Sequence, residues 1–287
     1  MRTEEQMLRL IAAVAQADDR IRAAYLEGSR ANPKIPRDIF QDYDVVYLVT
    51  DTKPYRQDRS WIDRFGRRLY MQYPEENSEY PADVENCYGW LMQLADGNRL
   101  DLHVCTRNYA LSHLELYRVL VDKDQIFSER QQDSDAVYWV RRPEQAAFSF
   151  ACNEFWWCLN NVAKGLWRNE IPYVMDVLND PVRPMLRRLL DWKIGMEHGF
   201  AISTGKSSKY MNRFLPEEIY RQYLQTYPQA DRDGIWRSVF VACDLFDRTA
   251  RAVAAHLGLV YDAAEGESSY AYLRHVQQLP ADAEAVF

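Results

Sequence analysis

The stretch Gly28-Ser29-Arg30-Ala31-Asn32-Pro33-Lys34-Ile35-Pro36-Arg37-Asp38-Ile39-Phe40-Gln41-Asp42-Tyr43-Asp44-Val45-Val46-Tyr47-Leu48-Val49 decides the reading of this chain. Val45–Val49 is its strongest β-run, and the Gly-, Pro- and Asn-containing segment before it reads as loop. In a strand, residues i and i+2 face the same way, so Asp42 and Asp44 project together while Tyr43 and Val45 face the other side. Adjacent carboxylates repel unless a cation lies between them, and oxygen ligands at short range suit Mg²⁺, which also takes phosphate oxygens. Alone, the pair fits a solvated strand end better than a metal site. Upstream, Gly28 permits close backbone approach to a ligand, Ser29 offers a donor to a phosphate oxygen, and Arg30 adds a charge with bidentate reach. Alone, Gly28-Ser29 is a turn. The joint pattern of glycine, spacer and paired acids on a strand points to a metal ion beside a phosphate group.

Working outward, Met7, Leu8, Leu10, Ile11 and Val14 recur at helical steps, and Thr3 with Gln6 forms a capping-box pattern, predicting a helix over 3–16. Ile21–Leu26 reads as a strand and Ser60–Met71 as a helix. Trp90–Leu94, Asp96-Gly97-Asn98 and Arg99–Val104 read as a hairpin. The second half is helical: Glu144–Trp167, Pro184–His198, Pro216–Tyr227 and Ile235–Leu257. The expected fold class is therefore α+β, with an N-terminal domain over 1–142, a mixed β-sheet with flanking helices, and an all-helical C-terminal domain over 143–287.

Composition excludes several classes. The 287 residues carry 35 Lys and Arg against 42 Asp and Glu, a net charge of −7 that disfavours a grip on nucleic acid. No run approaches the roughly 20 apolar residues of a membrane helix. The N-terminus has acids before any apolar run, so no signal peptide is expected, and five cysteines without a Cys-x-x-Cys motif read as reduced thiols in a cytoplasm.

Other polar residues carry weight. Asp101 lies in Arg99-Leu100-Asp101-Leu102-His103-Val104, on the strand face it shares with His103, and it supplies a third carboxylate if the strands adjoin. Glu154 lies in the apolar helix Phe148–Leu159, where a carboxylate needs a partner: either a ligand, or Lys164, Arg168 or Asn161. Trp156 and Trp157 read as core, with one of them able to flank a cation or a sugar ring. Asp176 is a weaker ligand candidate, and Asn179 and Asp180 are expected to cap the following helix. Gly199–Ser207 mimics a phosphate loop, but five residues separate Gly199 from Gly205 where four are required, and it follows a helix. Lys206 and Lys209 remain available to substrate or ATP. Asp231–Asp233 reads as a solvated turn.

Gly28-Ser29 with Asp42-Tyr43-Asp44-Val45 and a later acid resembles the nucleotidyltransferase superfamily. Asn153–Cys158, Asn161–Arg168, Ile171–Asp176 and Tyr210-Met211 with its flanking lysines further resemble the aminoglycoside 6-adenylyltransferase (streptomycin adenylyltransferase) family, and this likeness spans nearly the whole chain. The resemblance implies AMP transfer from ATP to the 6-hydroxyl of streptomycin's streptidine ring, with release of pyrophosphate and antibiotic resistance as the outcome. It implies Mg²⁺ on Asp42, Asp44 and Asp101, with Asp101 as third ligand or base, and Gly28, Ser29 and Arg30 around the triphosphate. Glu154, Trp157 and Asp176 would meet the cationic aminoglycoside. The alternatives are a same-fold enzyme with another acceptor and a non-catalytic protein that binds a nucleotide or cation.

Overall fold

The structure is a computed structural model that describes residues 1–127 and 134–287. The chain divides into two compact units, Met1–Val137 and Tyr138–Phe287.

Unit 1 opens with α1 (Glu4–Ala17), whose capping box closes as the pattern predicts: Thr3 accepts from Gln6 N–H, and the Gln6 side chain accepts from Thr3 N–H. The elements that follow are β1 (Ile21–Glu27), the one-turn α2 (Gly28–Ala31), β2 (Tyr43–Val49), α3 (Lys53–Gln57), β3 (Arg68–Gln72), β4 (Cys87–Leu94), β5 (Arg99–Thr106), α4 (Arg107–Ser112) and β6 (Arg118–Asp122). The sheet runs β3-β4-β5-β2-β1-β6, antiparallel except for the central parallel pair β2/β5. Period-two alternation gives it two different faces. Leu26, Tyr43, Val45, Tyr47, Leu100, Leu102 and Val104 pack with Met7 and Ile11 of α1 on one face. Ala23, Tyr25, Val46, Leu48 and Cys105 form a smaller cluster on the other.

The predicted helix over Ser60–Met71 is not formed. A single 3₁₀ segment, Trp61–Phe65, stops at Gly66, whose φ of 114° no right-handed helix allows, and Arg68–Gln72 leaves as β3. Trp61 is buried among Tyr47, Tyr55 and Trp90, so the helical period was that of a short buried turn. The hairpin forms as read: Cys87–Gln93 pairs antiparallel with Arg99–Cys105.

Unit 2 comprises α5 (Gln145–Trp167), α6 (Ile171–Val177), α7 (Arg183–Glu197), α8 (Glu217–Gln225), α9 (Arg232–Leu257) and α10 (Ala263–Gln278). α5 is apolar nearly all round because it packs against α6, α7 and α10 together. Phe155 of α5 stacks on Phe246 of α9 with centroids 3.8 Å apart. Two expectations change here. Asp231–Asp233 is solvated as read but is not a turn: Asp231 is the N-cap of α9, accepting from Gly234 N–H. Asn179 and Asp180 do not cap α7: the chain leaves helical geometry at Asp180 (φ −153°, ψ 105°), and α7 starts after Val182 with no side-chain cap. Among the described residues no helix is long and apolar enough to cross a membrane.

Candidate active site

The strand register brings the acids together. β2 and β5 run parallel with Asp44 beside Asp101, and β1 runs antiparallel to β2 with Glu27 beside Asp44. Glu27, Asp44 and Asp101 thus form one row across three adjacent strands, and Asp42 stands just before β2. One oxygen each from Asp42, Asp44 and Asp101 lies within 4.8 Å of the others. All the donors are oxygens, the set a hard divalent cation prefers. Burial first, then the neighbouring Asp42, Asp101 and Glu27, pushes the Asp44 carboxyl up to about 7. The site is thus strained by its own charge, and a bound cation would relieve it. Gly28 closes the other side: its φ is 64°, and a Cβ there would fall 2.2 Å from Asp44 Oδ2.

Two arginines flank the acids. Arg99 clasps Asp101 with both prongs, Nε to Oδ1 at 2.9 Å and Nη2 to Oδ2 at 2.6 Å, with Asp42 4.0 Å away. Arg30, expected near the triphosphate, is turned into the protein. It is only 5% exposed; Nε donates to Asp42 O and Nη2 to Gln41 O, each at 2.8 Å. Its Nη1 meets Glu4 at 3.1 Å, and its plane lies 3.8 Å over the Tyr43 ring. Every guanidinium nitrogen is engaged by the protein, so Arg30 pins the end of the Gly-Ser loop to the start of β2 and to α1. Arg30→Met should cost about 2–3 kcal/mol in urea unfolding, because it leaves two carbonyls without their donor and Glu4 without its partner. Arg30→Lys should recover little of this, since an ammonium cannot span the fork.

The streptomycin adenylyltransferase family model matches residues 1–276. The chain belongs to that family. It is 37% identical over 275 residues to an aminoglycoside 6-adenylyltransferase of Bacillus subtilis (strain 168), covering 94% of this chain and 97% of the relative. It is 36% identical over 264 residues to one of Campylobacter jejuni, covering 91% of each. A crystal structure of an aminoglycoside 6-adenyltransferase from Bacillus subtilis aligns over 97% of this chain and 100% of its own, at 32% identity and a TM-score of 0.49.

Within this adenylyltransferase-family chain, the remaining candidates lie in unit 2. Glu154 is half-buried on α5 and accepts from the Cys158 thiol, which burial, together with that carboxylate, pushes up to about 11. Trp156 is core, its indole N–H 3.2 Å from Tyr261 Oη. Trp157 is not core: it is 65% exposed, with Phe150 also exposed on the same helix. Asp176 is exposed on α6, and among the described residues no hydrogen bond or ion pair joins it to Glu154 or Trp157.

Besides Glu27, two more polar residues of unit 1 escaped the sequence reading. Glu75, in a 3₁₀ turn before β4, accepts from Gly89 N–H at 2.8 Å and lies 3.6 Å from His103 Nε2. Burial opposes both charges, but their mutual contact holds Glu75 below and His103 above the ordinary range. The site for that ring exists because residue 89 is glycine: a Cβ would stand 2.4 Å from His103 Cδ2. Gln41 is buried with its Oε1 unpartnered among the described residues, next to Ser29, whose carbonyl accepts from Nε2 at 3.4 Å. Neither belongs to a local motif; only the fold brings Glu75 to His103 and Gln41 to Ser29.

Proposed function

We propose that this protein transfers AMP from ATP to the 6-hydroxyl of the streptidine ring of streptomycin, releasing pyrophosphate and so inactivating the drug. The observation that carries the reading is the convergence of Asp42, Asp44 and Asp101 within 4.8 Å beneath Gly28. Those three carboxylates would hold Mg²⁺, which when bound supplies positive charge against the phosphate oxygens. Gly28 and Ser29 offer the phosphates a close backbone and a hydroxyl, and Arg30 acts by fixing that loop. The acceptor oxygen attacks the α-phosphorus in line, the bond to the β-phosphate oxygen breaks, and pyrophosphate leaves with the electron pair. The hydroxyl proton passes to a carboxylate of the acidic row.

Streptidine presents two guanidinium groups, which suit carboxylates and aromatic faces. Glu154 and Trp157 lie one turn apart on α5, and a Trp so exposed is unusual for so apolar a ring. Both are read as acceptor contacts, with Asp176 as a further acid. The acid-rich, reduced-cysteine composition agrees with a cytoplasmic enzyme taking a polycationic substrate.

The test is pyrophosphate release by purified protein given MgATP and a panel of aminoglycosides. Streptomycin should support turnover; release with none of the panel would overturn the reading. Trp157→Ala and Glu154→Gln should each raise the streptomycin KM about tenfold and leave the ATP KM in place.

A further inference from the structure

The ten residues Thr204-Gly205-Lys206-Ser207-Ser208-Lys209-Tyr210-Met211-Asn212-Arg213 contain three cations and no acid, in a chain of net charge −7. They link α7 to α8 in a backbone shape that the chain does not adopt without cause. Gly205 has φ 75°, and Ser207 and Ser208 follow at 55° and 58°, two consecutive non-glycine residues in the left-handed region. Such strain persists only where its surroundings impose it, and it gathers at sites that bind.

Here the restraints are visible. Ser208 is buried and its hydroxyl donates to Asp191 Oδ2 of α7 at 2.7 Å, a carboxylate that Thr204 also reaches. Tyr210 N–H returns to Thr204 O at 2.9 Å, and the Tyr210 ring closes over Gly205, 2.6 Å from where a Cβ would be. The inner side chains lock the loop, and the outer ones are cationic. Lys206, Ser207, Lys209 and Arg213 are exposed, with Lys209 Nζ 5.1 Å and Arg213 Cζ 4.2 Å from the Tyr210 ring centre. Among the described residues no ion pair engages these three cations. The arginines beside the acids of unit 1 differ in this respect, since Arg30 and Arg99 are both clasped by the protein.

We propose that the Thr204–Arg213 loop is a polyphosphate-binding site, with Lys206, Lys209 and Arg213 as its cationic ligands and the Ser207 hydroxyl as a donor. The chemistry is shared by free pyrophosphate and the phosphate chain of a nucleotide. The assignment rests on the nucleotide-transfer reading only for which of these the protein meets in its reaction. Two lysines on a rigid turn recognise such an anion by charge and spacing, which a mobile pair would not.

The experiment is calorimetry on the full chain with inorganic pyrophosphate and, separately, MgATP, without any aminoglycoside. The double variant Lys206→Ala/Lys209→Ala should bind pyrophosphate about tenfold or more weakly, while Lys206→Arg/Lys209→Arg stays within about threefold of the parent. Melting temperature and streptomycin binding should not move. A parallel loss of MgATP affinity assigns the loop to the nucleotide's phosphate chain; loss of pyrophosphate alone assigns it to the released anion. Unchanged binding of both overturns the proposal, as does a short RNA duplex that is lost in the variant while pyrophosphate binding stays. A parent protein that adenylylates nothing would remove the proposed function yet leave these binding measurements readable.

Discussion

Asp44→Asn should abolish turnover and at the same time raise the melting temperature of the metal-free protein. The two effects have one cause. Asp44 is enclosed by Gly28, by the neighbouring strands and by three other acids, and its carboxyl is pushed from 3.8 up to about 7, by burial first and then by Asp42, Asp101 and Glu27. A carboxyl whose folded pKa lies above its unfolded one binds a proton more readily in the folded state. Its ionisation therefore costs stability as pH rises from about 4 to about 7. The difference amounts to roughly 4 kcal/mol at most when Asp44 is fully ionised. Asparagine removes the charge and keeps the shape. Without divalent ion near pH 8, the variant should melt several degrees higher than the parent, and the parent's own loss of stability between pH 4 and pH 7 should flatten. Added Mg²⁺ should stabilise the parent and leave the variant unmoved, and pyrophosphate release should fall by about three orders of magnitude. A variant that still responds to Mg²⁺, or that keeps its turnover, would remove Asp44 from the metal site.

The row that makes this prediction was half legible in the sequence. Period-two alternation around Asp42-Tyr43-Asp44 and Leu100-Asp101-Leu102 showed which way each carboxylate points, because the apolar partners had to face a core. The pairing of β2 with β5 was not legible: 49 residues and two other strands intervene between Val49 and Arg99, and parallel neighbours leave no local signature. Glu27 is a similar case, ending β1 as an ordinary polar residue until antiparallel pairing sets it against Asp44. The protein partners of Arg30 were not legible, because a cation after Gly-Ser is equally suited to phosphate and to carbonyl oxygens. The choice was made by Glu4 and Tyr43, which the fold brings to its other nitrogens and to its plane. Trp157 went the opposite way. An apolar helix predicts burial, yet three neighbouring helices cover only part of the circumference of α5 and leave this one indole in water.

Gly28→Ala isolates geometry from charge. The substitution adds one methyl group and no ionisable atom. With φ at 64°, alanine is strained by about 1–2 kcal/mol. Its Cβ would also lie 2.2 Å from Asp44 Oδ2 and 2.9 Å from Asp44 Cγ, so the carboxylate must move by about an ångström to restore ordinary contact. A displacement of that size at a reacting centre lowers rate by about a hundredfold, while the fold survives with a few degrees lost from the melting temperature. Gly97→Ala provides the control. Its φ of 92° is also unfavourable to alanine, but the nearest atom to a Cβ there is Met1 Sδ at 4.0 Å, so strain is added without a clash. It should lower stability comparably and keep the rate and the Mg²⁺ affinity of the parent. Equal losses of activity in the two variants would mean that general destabilisation, not the position of Asp44, sets the rate. A loss confined to Gly28→Ala, with Mg²⁺ binding weakened in step, would tie turnover to the single contact in which the Gly-Ser turn presses on the acid row.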